Sequence, residues 1–235
     1  MKWIINNLKM NLTLPDIIEY ETKLSKIQSK HKIIVCPSFP YLSYFNSSNY
    51  YLGSQDVSNQ ESGSLTGEVS AKQLKSLNVK YTIIGHSERK KELSETNNQV
   101  SGKIKRLFEN DITPILCIGE LNKNSLTPEE EIKNNLEEIF KDIIDIKNII
   151  IAYEPVWSIG TGDIPSNNHI EKVVEYIKKW FYNRFNICID IIYGGSVSIN
   201  NIQQLNNISN IDGYLLGGTS LRIDTLKEII KCMEV

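Results

Sequence analysis

Short apolar runs alternate along this chain with longer stretches whose apolar positions recur every three or four residues. The runs are rich in Ile, Val, Leu and Tyr and read as strands over 3–7, 33–36, 51–54, 81–85, 114–118, 149–153, 189–193 and 213–216. Between them, 16–28 carries Ile17, Ile18, Leu24 and Ile27 as a helical stripe, and 129–143 carries Ile132, Leu136, Ile139, Phe140 and Ile143. Ser70 with Gln73 has the spacing of a capping box ahead of a short helix. Eight strands, most of them followed by a helix, imply a parallel sheet, because each parallel crossover needs a long connection. Runs such as IIIA and IIV are apolar at every position, as strands covered on both faces must be. The expected fold is α/β: a single-domain (β/α)8 barrel over residues 1–235. An open doubly wound sheet would usually carry a GxGxxG turn after its first strand, and here that turn reads NNLKMN.

Composition narrows the field. A net charge of −2 and a pI near 6.0 give no electrostatic footprint for nucleic acid or an anionic membrane. The acidic run Glu129, Glu130, Glu131 falls at an expected helix start, where carboxylates complement the helix dipole. The start, MKWIINNLKMN, lacks the apolar core and cleavage site of a signal peptide. The four cysteines form no CxxC, and Cys36 and Cys117 fall in or beside strands, where a thiol acts as a small hydrophobe. The expected location is a reducing cytoplasm. His31, His86 and His169 have no metal-ligand spacing, so neither metal nor other cofactor is expected.

The candidate chemistry follows the strands, and in a barrel that gathers it at one face. The segment IIIAYEPVWSIGTG puts Glu154 at the end of a buried strand, just ahead of a loop with glycine hinges. That placement suits a general base covered by a moving lid, although a strand-end carboxylate also serves in ordinary ion pairs. Lys9, after the first strand with Asn7 beside it, could bind an anion or stabilise an oxyanion. A lysine at a loop start is otherwise a solvated charge. His86 ends the fourth strand in IIGHSE, and the residues after it can begin a helix, whose N-terminus disfavours imidazolium. A lone histidine after an apolar run is more commonly structural. Gly194-Gly195-Ser196 and Gly217-Gly218 follow the last two strands, where backbone amides can cradle a phosphate. Cys117 and Glu120 in ILCIGE read as supporting residues, Glu120 as a partner for the lid. The polar stretch 55–69 is too long for a simple connector and reads as an ordered contact loop.

Taken together, NNLKMN, IIGHSER, AYEPVWSIGTG and YGGSV resemble the active-site segments of the triosephosphate isomerase family, from Asn7 to about Leu221. The resemblance implies a TIM barrel that interconverts dihydroxyacetone phosphate and D-glyceraldehyde 3-phosphate through an enediolate, in glycolysis and gluconeogenesis. It implies Glu154 as proton acceptor, His86 as neutral electrophile and Lys9 as substrate-binding cation. Asn7, Gly160, Ser196, Gly217 and Gly218 complete the implied substrate site. It further implies a homodimer in which the 55–69 loop, with its tip at Ser64-Leu65-Thr66-Gly67, inserts beside the partner's catalytic lysine. Some positions depart from the family pattern. Leu8 stands where Trp is common and Lys90 where a second Arg is usual, and the stretch after Glu120 is short and lacks the usual arginine. Other sugar-phosphate isomerases, or a barrel kept as a binding protein, are the alternatives; the complete lid and the intact Lys9, His86 and Glu154 disfavour both.

Overall fold

A computed structural model describes residues 1–123 and 127–234, so residues 124–126 of the short stretch after Glu120 lie outside the description. The strands are β1 (Trp3–Asn7), β2 (Lys32–Cys36), β3 (Tyr51–Ser54), β4 (Tyr81–Ile84), β5 (Thr113–Ile118), β6 (Ile150–Tyr153), β7 (Asp190–Tyr193) and β8 (Gly213–Leu216). The helices are α1 (Leu14–Leu24), α2 (Ala71–Ser76), α3 (Ser87–Leu93), α4 (Asn97–Glu109), α5 (Pro128–Ile139), α6 (Asn167–Phe185), α7 (Ile202–Asn206) and α8 (Ile223–Glu234). Every strand pairs in parallel with its sequence neighbours, and β8 returns to β1 through Trp3↔Gly213, Ile4↔Tyr214, Ile5↔Leu215 and Asn6↔Leu216. The sheet therefore closes and has no exposed edge, as the expected barrel requires.

Alternation along each strand divides the core in two. Ile5, Ile34, Ile83, Ile115, Cys117, Ile150, Ala152, Ile192 and Leu215 fill the barrel interior. Their neighbours Ile4, Val35, Ile84, Leu116, Ile151, Ile191 and Leu216 pack outward with the helices. Both sets are buried, which is why the strands are apolar at nearly every position.

The helices begin where the sequence supplies caps. Ser70 accepts from the Gln73 N–H and Thr96 from the Gln99 N–H, each in a capping box. The acidic run Glu129, Glu130, Glu131 forms the first turn of α5. All five apolar residues expected over 129–143 are buried, although the helix itself stops at Ile139. The α1 stripe needs correction. Ile18 is 50% exposed, and the buried face is Ile17, Tyr20 and Leu24. Ile18 lies one residue, about 100°, around the helix from Ile17, so the two cannot share a narrow stripe. Tyr20 takes the inner place, its hydroxyl donating to the Ser220 carbonyl at 2.9 Å. Between β2 and β3 the chain makes only a 3₁₀ stretch, Phe39–Tyr44, whereas β4 is followed by two helices. None of the described helices is long and apolar enough to cross a membrane.

Candidate active site

Strand alternation aims the base. Ile150 and Ala152 point into the barrel, so the next residue of that series, Glu154, also points inward at the mouth. The same rule carries Trp3 and Ile5 on to Asn7, Ile192 on to Gly194, and Leu215 on to Gly217. Asn7, Glu154, Gly194 and Gly217 line one cavity of about 290 Å³ with Lys9, His86, Gly160, Ser196 and Gly218. Every site residue expected from the sequence is therefore at this one mouth.

His86 reaches it by a different route. Ile83 faces inward and Ile84 outward, so regular alternation would turn residue 86 away. Gly85 has φ +66°, a left-handed conformation that a side chain rarely tolerates, and it breaks the alternation. His86 then serves as the N-cap of α3, with Nδ1 accepting the Glu88 N–H at 3.2 Å. An accepting Nδ1 carries no hydrogen, so the ring hydrogen sits on Nε2. Nε2 lies 3.3 Å from Glu154 Oε1.

Glu154 is 2% exposed at its side chain, and neither oxygen accepts a hydrogen bond from the described residues. A buried carboxylate with so few partners is held at a cost. Space for it is made by Gly194, where a Cβ would stand 2.8 Å from Glu154 Cγ. Behind it, burial first and then the nearby Glu154 charge push the Cys117 thiol well above its ordinary value. Cys117 thus stays a neutral packing group and not a nucleophile.

Lys9 has φ +50° and is braced in that conformation. Asn7 Oδ1 accepts the Lys9 N–H at 3.1 Å, while Ser38 Oγ and Gln55 Nε2 both donate to the Lys9 carbonyl at 2.9 Å. The ammonium is paired with Glu88 at 2.5 Å, so an arriving anion would compete with that carboxylate. Gln55 was expected to belong to a contact loop, and its contact is with this strained backbone.

The lid is pinned at both ends. On the near side, Trp157 Nε1 donates to Glu120 Oε1 at 3.1 Å, which makes Glu120 the lid partner expected of it. On the far side, the Gly162 N–H donates to Ser196 Oγ at 3.2 Å, and Ser196 Oγ donates to the Ser158 carbonyl at 2.6 Å. Gly160 and Gly162 take φ +72° and +85° and turn the tip over the cavity. Two residues of this network, Ser158 of the lid loop and Glu88, make contacts that the sequence does not announce. Ser158, fully buried, donates to the Asp163 carbonyl at 2.6 Å and lies 3.3 Å from the Tyr193 hydroxyl. Glu88, which holds both Lys9 and the helix start below His86, was read only as part of that start. A serine between Trp157 and Ile159 carries no periodic or motif signal of its own.

The model of the triosephosphate isomerase family matches residues 2–233. The chain belongs to the triosephosphate isomerase family. A triosephosphate isomerase of Mesomycoplasma hyorhinis is 36% identical over 243 residues, covering 97% of this chain and 96% of the relative. That of Colwellia psychrerythraea is 38% identical over 221 residues, with 87% and 86% covered. That of Wolbachia sp. subsp. Brugia malayi is 37% identical over 237 residues, with 98% and 97% covered. The mouth of this chain sets a carboxylate and an imidazole 3.3 Å apart, in one cavity with a lysine and several glycines.

Proposed function

We propose that Glu154, His86 and Lys9 are the catalytic residues with which this chain, an isomerase, interconverts dihydroxyacetone phosphate and D-glyceraldehyde 3-phosphate. The observation that carries the reading is the buried Glu154 carboxylate 3.3 Å from the Nε2 of His86 in a lidded cavity. Glu154 takes a carbon-bound proton next to the substrate carbonyl. The Nε2–H of His86 polarises that carbonyl and moves protons between the two oxygens of the enediolate. Lys9 offsets the negative charge that builds there. Asn7 braces Lys9, and Gly160, Ser196, Gly217 and Gly218 hold the phosphate with backbone and hydroxyl groups. Docking of the lid keeps water away, so the enediolate recovers its proton before it can expel phosphate. The reaction is an internal proton shift and calls for neither metal nor cofactor.

We propose further that the chain is one domain over residues 1–235, that it works in the cytoplasm, and that it pairs as a homodimer through the 55–69 loop. The cytoplasmic reading is supported by Cys36 and Cys117, both free thiols used as buried packing groups. The dimer reading is supported by Leu65, 46% exposed at the loop tip, and by a hollow of about 850 Å³ beside Lys9, lined in part by Met10, Phe39 and Gln55. A coupled assay with D-glyceraldehyde 3-phosphate tests the activity. Turnover by the purified chain is expected, and its absence would overturn the reading.

A further inference from the structure

His169 is absorbed by no role described so far. It lies in the first turn of α6, just past the lid, where Ser166 Oγ accepts its N–H at 3.2 Å and fixes its position. Its Nε2 is 3.2 Å from Glu120 Oε1 and 3.1 Å from the Tyr153 hydroxyl. The roles of these groups can be assigned. Tyr153 OH lies 3.1 Å from both Glu120 oxygens. Burial first, and then the Glu120 charge, push the Tyr153 phenol far above its ordinary value, so it keeps its hydrogen and donates it to Glu120. The ring nitrogen of His169 thus faces two oxygens that have no hydrogen to offer it. It must carry the hydrogen itself and donate.

Glu120 is 1% exposed at its side chain, and His169 is the only cation-forming side chain paired with it among the described residues. A buried carboxylate in that setting needs its donors. It has three: Tyr153 from β6, Trp157 from the near side of the lid and His169 from the helix beyond the far side. One carboxylate therefore ties the two ends of the lid together.

We propose that His169 is a positioning residue for the lid: its Nε2–H fixes the Glu120 carboxylate in the orientation that receives Trp157, and so favours the docked lid. The effect on turnover rests on the isomerase reading above; the effect on Trp157 does not.

The test uses the full chain labelled with 5-fluorotryptophan. Its three tryptophans, Trp3, Trp157 and Trp180, give separate fluorine reporters, with Trp157 assigned by Trp157→Phe. Without substrate, His169→Ala should shift or broaden the Trp157 resonance and leave those of Trp3 and Trp180 in place. With D-glyceraldehyde 3-phosphate it should lower kcat about three- to tenfold, the weight of one lost hydrogen bond, and raise the methylglyoxal fraction of the product. His169→Gln, which can return an N–H donor, should restore both. His169→Glu, which sets an acceptor against an acceptor, should match or exceed the alanine effect, and it decides the question if the alanine variant does not fold. An unmoved Trp157 resonance, equal movement of all three, or a Gln variant as impaired as Ala would overturn the proposal. A parent without isomerase activity would overturn the isomerase reading, while the fluorine spectra would still decide the role of His169.

Discussion

His86 Nε2 stands 3.3 Å from Glu154 Oε1, and the carboxylate has no hydrogen-bond donor from the described residues. That placement at the cavity mouth, facing an imidazole, fits a general base. Glu154→Gln should therefore lower kcat by about 10² to 10⁴, the usual loss for a general base. The melting temperature should hold or rise, because a buried charge without partners is removed. Steady-state kinetics and a thermal melt check both. A kcat within about threefold of the parent, below the small end of that range, would show that Glu154 is not the base.

The Glu88 N–H points at His86 Nδ1 from 3.2 Å, which leaves that nitrogen without a hydrogen. Nitrogen-15 NMR of the resting protein at neutral pH should find Nδ1 bare and Nε2 protonated. The opposite tautomer, or a doubly protonated ring, would contradict the neutral electrophile and the helix-cap geometry together.

Strand order and most of the site could be read from the chain because both follow from period-two alternation in short apolar runs. Ile150, Ala152 and Glu154 form one inward series, and Leu215 with Gly217 another. Alternation does not suffice where other geometry rules. Ile18 was assigned to a stripe that a 100° helical step excludes. His86 enters the mouth only through the positive φ of Gly85, which alternation cannot foretell. Ser158 and His169 act through contacts between residues far apart in the chain, Ser158 with Ser196 and His169 with Glu120. Such contacts leave no local pattern to read.

Gly194 should be as sensitive as a reacting group. An added Cβ would lie 2.8 Å from Glu154 Cγ and 3.5 Å from Leu215 Cβ. The glutamate would have to give way, and displacing a reacting group by about 1 Å can cost on the order of 10² in rate. Gly194→Ala should thus lose kcat while its far-ultraviolet circular dichroism matches the parent. Unchanged kcat would mean that the base tolerates a different seat.

Lys103 ties Asp56, at 2.6 Å, and Glu95 together beneath the 55–69 loop, and Arg89 joins from 2.8 Å at Asp56 and 3.1 Å at Glu95. Lys103 and Glu95 are almost fully buried. Removing the ammonium would leave two carboxylates sharing a single remaining cation. Lys103→Met should destabilise the fold by about 3–5 kcal/mol, the usual result of breaking a buried pair from one side. For a chain of this size that lowers the melting point by on the order of 10 °C. Calorimetry would decide, and a change of less than about 1 kcal/mol would show that the cluster is solvated in solution.

The loop above that cluster carries the last expectation. Leu65 is an apolar side chain at the tip of a polar loop, 46% exposed. The hollow beside Lys9 is large enough for such a tip, and Met10 and Phe39 supply it with apolar surface. In a two-fold pair each tip would enter the other's hollow and brace the backbone that Asn7, Ser38 and Gln55 already hold at Lys9. Leu65→Glu with Thr66→Glu would bury two charges without partners, at a cost of several kcal/mol. The variant should be a monomer with little activity, because a loosened Lys9 backbone misplaces the ammonium. Light scattering and turnover on the same sample check this. A parent that is monomeric yet fully active, or a charged-tip variant that remains an active dimer, would remove the loop from the proposed assembly.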